Sequence, residues 1–220
     1  MDWTVAFDYW PQIARGVWAT LAMAAISYSA GLVLGLFIAL ARMSGRWVLT
    51  IPTTIFVEFF RTTPPLVQIV WFYFVVPVLT GVELNAFQAA TLALALNVAA
   101  FLSEVFRGGL ASVDSTQRDA GQVLGLSRIQ VYRYVLVPQA VRNVMPQLTT
   151  WMVLLIKSTS LASAIGALEL MQVSKLIALE TFRPIEVLTT AAVIYFLLAY
   201  PLTLLAGRLE RRLQRHTVRA

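Results

Sequence analysis

Residues 48–79 read VLTIPTTIFVEFFRTTPPLVQIVWFYFVVPVL, and how this run meets a membrane decides the fold. A straight helix crosses the hydrocarbon core of a bilayer in about 20 residues, so the run is too long for one crossing and too short for two with a turn between them. Its middle, Arg61-Thr62-Thr63-Pro64-Pro65, cannot be regular helix. Pro64 and Pro65 lack two N–H donors and push the residue before them to extended geometry. The run reads as a single span, Val48–Leu79, broken near its middle.

Four other runs are long and apolar enough to cross as single helices: Val17–Ala41, Ala86–Phe106, Val144–Ile165 and Val187–Gly207. Pro146 falls in the first turn of its run, where a missing N–H is harmless, and Pro201 should kink the last one. The basic residues between spans decide the topology. If the broken run crosses once, the inner segments carry Arg42, Arg46, Arg107, Arg118, Arg128, Arg133, Arg142, Arg208, Arg211, Arg212, Arg215 and Arg219. The outer segments then carry Arg15, Lys175 and Arg183, with Arg61 and Lys157 left inside spans. A double crossing would put the five-arginine loop on the side opposite the Arg42–Arg46 segment. Positive residues collect on the cytoplasmic side. The chain is therefore expected to be an all-α integral membrane protein of five transmembrane helices, N-terminus outside and C-terminus cytoplasmic. With no linker or repeat in view, residues 1–220 read as one domain.

Composition agrees and excludes other classes. Hydrophobic residues make up 59% of the 220, charged ones 13%, and the mean hydropathy is +0.74. A soluble domain carries about twice that charge. The net charge of +6 sits at the ends of apolar runs, as topology requires, and does not imply a nucleic-acid partner. There is no cysteine to hold zinc or act as a nucleophile, and the one histidine, His216, lies in a basic tail. Asp2 and Asp8 stand where a signal peptide would be basic, so the first span is expected to be retained. Lys157-Ser158 has no glycine loop before it and is not a nucleotide-binding loop. No catalytic residue, metal site or cofactor is expected.

The cytoplasmic loop, 107–138, is patterned. Thr116-Gln-Arg-Asp119 fits a capping box opening a helix through Ala120, Val123 and Leu124, with Gly125 as its stop. Ser127-Arg-Ile-Gln130 opens a second helix, with Val131, Tyr134 and Val135 on one face, that Pro138 ends. Such a pair suits a docking surface for a cytoplasmic partner, and equally an amphipathic pair lying on the inner leaflet.

Polar groups at membrane depth each need a reason. Unwound backbone at Thr62, Thr63 and Pro64 is tolerated where it lines protein or a water-filled cavity, and transporters bind substrate at such breaks. Gln68 adds an amide one turn on. Asn97, mid-span in the third helix, suits substrate contact or helix cross-linking. Lys157 lies ~4–5 Å from the bilayer centre at 1.5 Å per residue and cannot easily reach water. Its partner is a substrate carboxylate, or Glu58 or Glu104 in a structural pair. Ser158 stands beside it. Glu104 and Arg107 are spaced for an ion pair at the cytoplasmic end of a helix, and Glu58 and Arg61 share that spacing.

At this point the stretches resemble a known family. Thr116-Gln-Arg-Asp-Ala-Gly121, Gly125 and Leu136-Val-Pro-Gln-Ala140 are similar to the EAA loop of binding-protein-dependent ABC importer permeases. Arg61-Thr-Thr-Pro-Pro-Leu-Val-Gln68, Glu104-Val-Phe-Arg-Gly-Gly109 and Lys157-Ser-Thr-Ser-Leu161 resemble the polar amino-acid branch of that family, in the right order. Asp119 replaces the family's glutamate, and Gly121 its second alanine, which weakens that helix by up to ~1 kcal/mol. The resemblance implies a multi-pass permease subunit of a bacterial inner membrane. It implies Asp119, Ala120, Gly121, Gly125 and Leu126 as the contact to an ATPase subunit dimer. It also implies a second permease subunit, identical or paralogous, an external solute-binding protein, and an amino-acid substrate met by Thr62, Thr63, Pro64, Gln68, Asn97, Lys157, Ser158 and Leu161. Rival readings are a permease for another small polar solute, a pore or channel subunit, and a scaffold bundle of a membrane enzyme.

Overall fold

The computed structural model describes residues 3–113, 116–117, 120 and 123–217. Helices α1 (Trp10–Met43), α2 (Trp47–Thr62), α3 (Pro65–Thr80) and α4 (Ala86–Ala111) form the first half. Helices α5 (Val137–Ser158), α6 (Leu170–Thr181) and α7 (Pro184–Thr217) form the second. Four spans are long and apolar enough to cross a bilayer: Trp10–Met43, Ala86–Ala111, Ile129–Ile165 and Pro184–Arg211. The bent α2–α3 pair passes the same length and apolarity test when taken as one broken span, which makes up to five.

At the centre is α4, packed against α1, α2, α3 and α5. It is alanine-rich on its buried faces, with Ala89, Ala90, Ala93, Ala99 and Ala100 nearly inaccessible. Small residues let backbones approach where no hydrophobic force drives helices together in lipid. The α1 face opposite is cut to match: a Cβ on Gly35 would stand 2.9 Å from the Ala99 carbonyl, and one on Gly31 would collide with Val98. Met23, Ile69, Leu94, Val98, Leu102 and Leu155 fill the core around α4. Large apolar side chains such as Trp18, Phe37, Val78, Phe196 and Leu197 stay exposed. In water such a surface would aggregate, and in a bilayer it is solvated by lipid.

The break in residues 48–79 is present and deeper than a kink. Thr63 and Pro64 are extended (φ −89°, ψ 138° and φ −61°, ψ 134°), and Pro65 starts α3. The two halves turn by 108°. Two rods of ~24 Å meeting at that angle have ends about 28 Å apart, close to the ~30 Å thickness of the core, with both halves oblique.

Several expectations need correction. Pro138 does not end its helix. The helix passes through a π-helical turn at Tyr132–Leu136 straight into α5, and Pro138 is the second residue of the α-helical register that follows. The helix runs on unbroken, so Pro146 lies inside it and not in its first turn. The span therefore begins well before Val144, and beyond Ser158 it tightens into a 3₁₀ turn over Thr159–Ile165. Helix α6, on the outer side, has no counterpart in the apolar-run reading.

The cytoplasmic loop is described in part. Gly125 has φ +78°, the left-handed conformation expected of a stop. The second capping box is made: Ser127 N–H donates to Gln130 Oε1 at 2.8 Å and Gln130 N–H to Ser127 Oγ at 3.4 Å. Asp119 and Gly121, and with them the carboxylate of the first box, lie outside the described residues.

Candidate functional site

In a helix the carbonyl of residue i accepts from the N–H of residue i+4. Pro64 and Pro65 therefore take the helical donors away from the Phe60 and Arg61 carbonyls. The Phe60 carbonyl is buried, and a buried acceptor without a donor costs about 1–3 kcal/mol. Two side-chain amides replace the lost donor: Asn97 Nδ2 and Gln68 Nε2 each donate to Phe60 O at 3.0 Å. Gln68 Nε2 also donates to Thr63 O, and Asn97 Nδ2 to Gln68 Oε1, both at 3.0 Å. With Gln68 only 3% and Asn97 only 8% exposed, this amide pair is an internal clamp on the break. Of the two roles open to Asn97, the structure displays the cross-link.

The hydroxyls beside the break bond back to the carbonyls of their own helices. Thr62 Oγ1 donates to Glu58 O at 2.7 Å, and Thr63 Oγ1 to Phe59 O. Ser158 Oγ donates to Leu154 O at 3.0 Å, and Leu161 packs against the main core. Thr62 and Pro64 are exposed.

Lys157, the last residue but one of α5, is exposed as well. It is eight residues short of Ile165, about 15 Å along the axis once the longer 3₁₀ rise is counted. Asn97 is eleven residues from Ala86, ~16 Å along α4. Ala86, Ile165 and Ala167 belong to one core cluster, and further in the two helices meet where Val144 lies against Gly109, ~20 Å from Lys157 and ~18 Å from Asn97 at 1.5 Å per residue. Lys157, Asn97 and the break are therefore at one depth, and α3 runs against the Thr159–Ile165 turn that follows Lys157.

Neither proposed structural partner of Lys157 is engaged with it. Glu104 instead makes three ion pairs, with Arg42, Arg61 and Arg107. The expected Glu104–Arg107 pair is made, at 2.6 Å. Glu58 and Arg61 do not pair: Arg61 turns to Glu104 and lies 5.6 Å from the centre of the Phe101 ring, which stacks on Trp151 at 4.1 Å. The convergence on Glu104 was not foreseen. The readable signal was one acid near the inner end of a span, with Arg42 at the inner end of α1 and Arg107 one turn further along α4.

In the loop, Ala120 and Gly125 are exposed and Leu126 is partly covered. Val123, Leu124 and Ile129 present apolar side chains outward. No group of three or more metal-ligating side chains occurs among the described residues.

Residues 31–215 match the family described as binding-protein-dependent transport system inner membrane component. The glutamine transport system permease protein of Escherichia coli K12 is 34% identical over 214 residues, covering 97% of this chain and 98% of that one. The octopine transport system permease protein of Rhizobium meliloti is 37% identical over 191 residues, covering 83% and 78%. Among solved structures, an amino acid ABC transporter crystallised with histidines superposes with a TM-score of 0.89 at 32% identity, over 96% of this chain and 99% of that one.

Proposed function

The chain belongs to the binding-protein-dependent transport system inner membrane components, and from that premise we propose that its mid-membrane break and Lys157 hold an amino acid on its way across the bilayer. The protein is a permease subunit of an ABC importer, a multi-pass protein of the inner membrane. It works with an ATPase and a binding protein, as its family does. We infer that it pairs with a second permease subunit and has no ATP chemistry of its own. The substrate is a polar amino acid or a close analogue, in keeping with the glutamine and octopine named for its relatives.

The observation that carries the site is Lys157. It is exposed at the depth of the break, and no carboxylate among the described residues pairs with it. A charge at that depth faces a water-filled path or a ligand. Its ammonium neutralises the substrate carboxylate. Thr62, Thr63 and Pro64 line the approach, Ser158 and Leu161 flank the lysine, and Gln68 and Asn97 support the break from behind. Ala120, Gly125 and Leu126, with Asp119 and Gly121, meet the ATPase.

Lys157→Met keeps the apolar volume and deletes the charge. A charge-assisted hydrogen bond contributes about 1.5–3 kcal/mol, so affinity at the membrane site falls by about ten- to more than a hundredfold. Uptake at saturating binding protein should drop while the complex melts as the parent does. A melting loss restored by neutralising Glu58 would instead place Lys157 in a structural pair.

A further inference from the structure

The Glu104 carboxylate is shared by three arginines from three helices. Arg42 reaches Oε1 from the inner end of α1. Arg107, one turn along α4, donates to Oε2 through Nε at 3.0 Å and Nη2 at 2.6 Å. Arg61, the last residue but one of α2, has its Nη1 3.9 Å from Oε1, beyond hydrogen-bonding reach. The side chains of Arg107, Arg61 and Arg42 are 46%, 36% and 12% exposed, so the long distance and not exposure sets Arg61 apart.

A largely buried carboxylate with one cationic partner cannot lose it without leaving an uncompensated charge. Glu104 can lose Arg61 and remain compensated twice. The weakest of the three contacts is therefore the one free to open, and it is the one that reaches the break. Arg61 is followed by Thr62 and then the extended pair Thr63–Pro64, a natural hinge. Arg107 stands four residues before the end of α4, where the chain enters the cytoplasmic loop. Glu104 thus joins the break to the helix that feeds the loop.

We propose that the Arg61–Glu104 contact is a releasable latch on the mid-membrane break. Glu104, held throughout by Arg42 and Arg107, is the positioning residue that relates the break to the cytoplasmic loop. The proposal rests on the reading of the chain as an ATPase-coupled importer subunit.

The test uses the assembled complex of permease and ATPase subunits in nanodiscs, with loaded binding protein. ATP hydrolysis is measured with and without that protein, together with the melting temperature. Arg61→Met should cut the stimulation ratio by about fivefold or more, the low end of ordinary coupling between sites. It should do so by raising the basal rate, while melting stays at the parent value. Arg61→Lys, which keeps the charge, should recover much of the ratio. Glu104→Gln should lower melting, because three guanidinium groups lose their anion at once. An unchanged ratio in Arg61→Met overturns the latch. So does an Arg61→Met complex that melts as low as Glu104→Gln or fails to assemble, since that marks a structural pair. If the parent complex itself is not stimulated by loaded binding protein, the importer reading fails; if the parent responds and Arg61→Met responds alike, only the latch does.

Discussion

Replacing Asn97 with leucine tests whether the amide clamp holds the break. Leucine keeps the number and branching of the side-chain heavy atoms, so the change deletes the hydrogen bonds at the cost of fitting two bulkier methyl groups. Asn97 Nδ2 makes two bonds at 3.0 Å, to Phe60 O and to Gln68 Oε1. The Phe60 carbonyl keeps its second donor, Gln68 Nε2, so its loss is one ordinary bond, about 1 kcal/mol. The Gln68 Oε1 atom loses its donor inside a residue only 3% exposed. An orphaned buried acceptor costs about 1–3 kcal/mol, so the sum is roughly 2–4 kcal/mol. The chain has no cysteine, so Ser103→Cys, fully buried in α4, can serve as its sole thiol reporter. Labelling of that thiol on heating reports when the core around α4 opens. The Asn97→Leu chain should label at lower temperature than its parent. Gln68→Leu should do the same, and the double change should be much less than additive because the two share one network. An Asn97→Leu chain that labels with the parent's profile, or a strictly additive pair, would refute the clamp.

Other outcomes follow from the same structure. A reporter active only in the cytoplasm should be on when fused after Arg215 or within the loop near Arg133, and off near Glu83 or Glu180; activity at Glu83 would end the single-crossing topology. Gly125 has φ +78° in open space, so Gly125→Val strains the backbone by about 1–2 kcal/mol without touching a span. Insertion should survive and ATP-driven uptake should fall, and normal uptake would remove this turn from coupling. Glu169→Ala should loosen α6 and raise the protease sensitivity of the outer segment around Phe182, since the buried carboxylate caps Met171 and Gln172 N–H at 2.9 Å each; unchanged cleavage would show that the cap does not hold the helix.

The break was legible because proline acts through covalent geometry: Pro64 and Pro65 remove donors and extend the residue before them in any surroundings. The 108° turn was not legible, because it depends on where Asn97, on another helix and far along the chain, meets the freed carbonyl beside Gln68. Spacing misled in a similar way at Glu58 and Arg61. Three residues apart on a helix, they are able to meet, but Glu104 from α4 took the arginine. Helix α6 escaped because it is short and follows an acid that reads as a solvated loop residue. In the structure Glu169 is 0% exposed and also accepts from the Tyr195 hydroxyl at 2.6 Å. The hydroxyls of Thr62, Thr63 and Ser158 looked available to a ligand by composition. Serine and threonine in helices bond back to the carbonyl four residues earlier, and these do.

Two kinds of polar group thus share one depth in this subunit. The amides of Asn97 and Gln68 are buried and bonded within the chain, so they hold shape whether or not a substrate is present. Lys157 is exposed at the same depth and has no carboxylate partner among the described residues. A single bundle facing lipid on all sides could not keep it charged, because hydrocarbon offers an ammonium nothing to replace water. The face that bears Lys157 therefore has to look onto water, a ligand or another protein surface. A permease working as one of two subunits around a path supplies all three in turn as the path opens and closes. A path-lining charge must also be able to release its partner on each cycle, and a permanent carboxylate partner would oppose that. Leaving Lys157 without one, while Arg42 and Arg107 hold Glu104 throughout, fits the proposal that the Glu104 cluster ties the helices together and Lys157 meets the cargo.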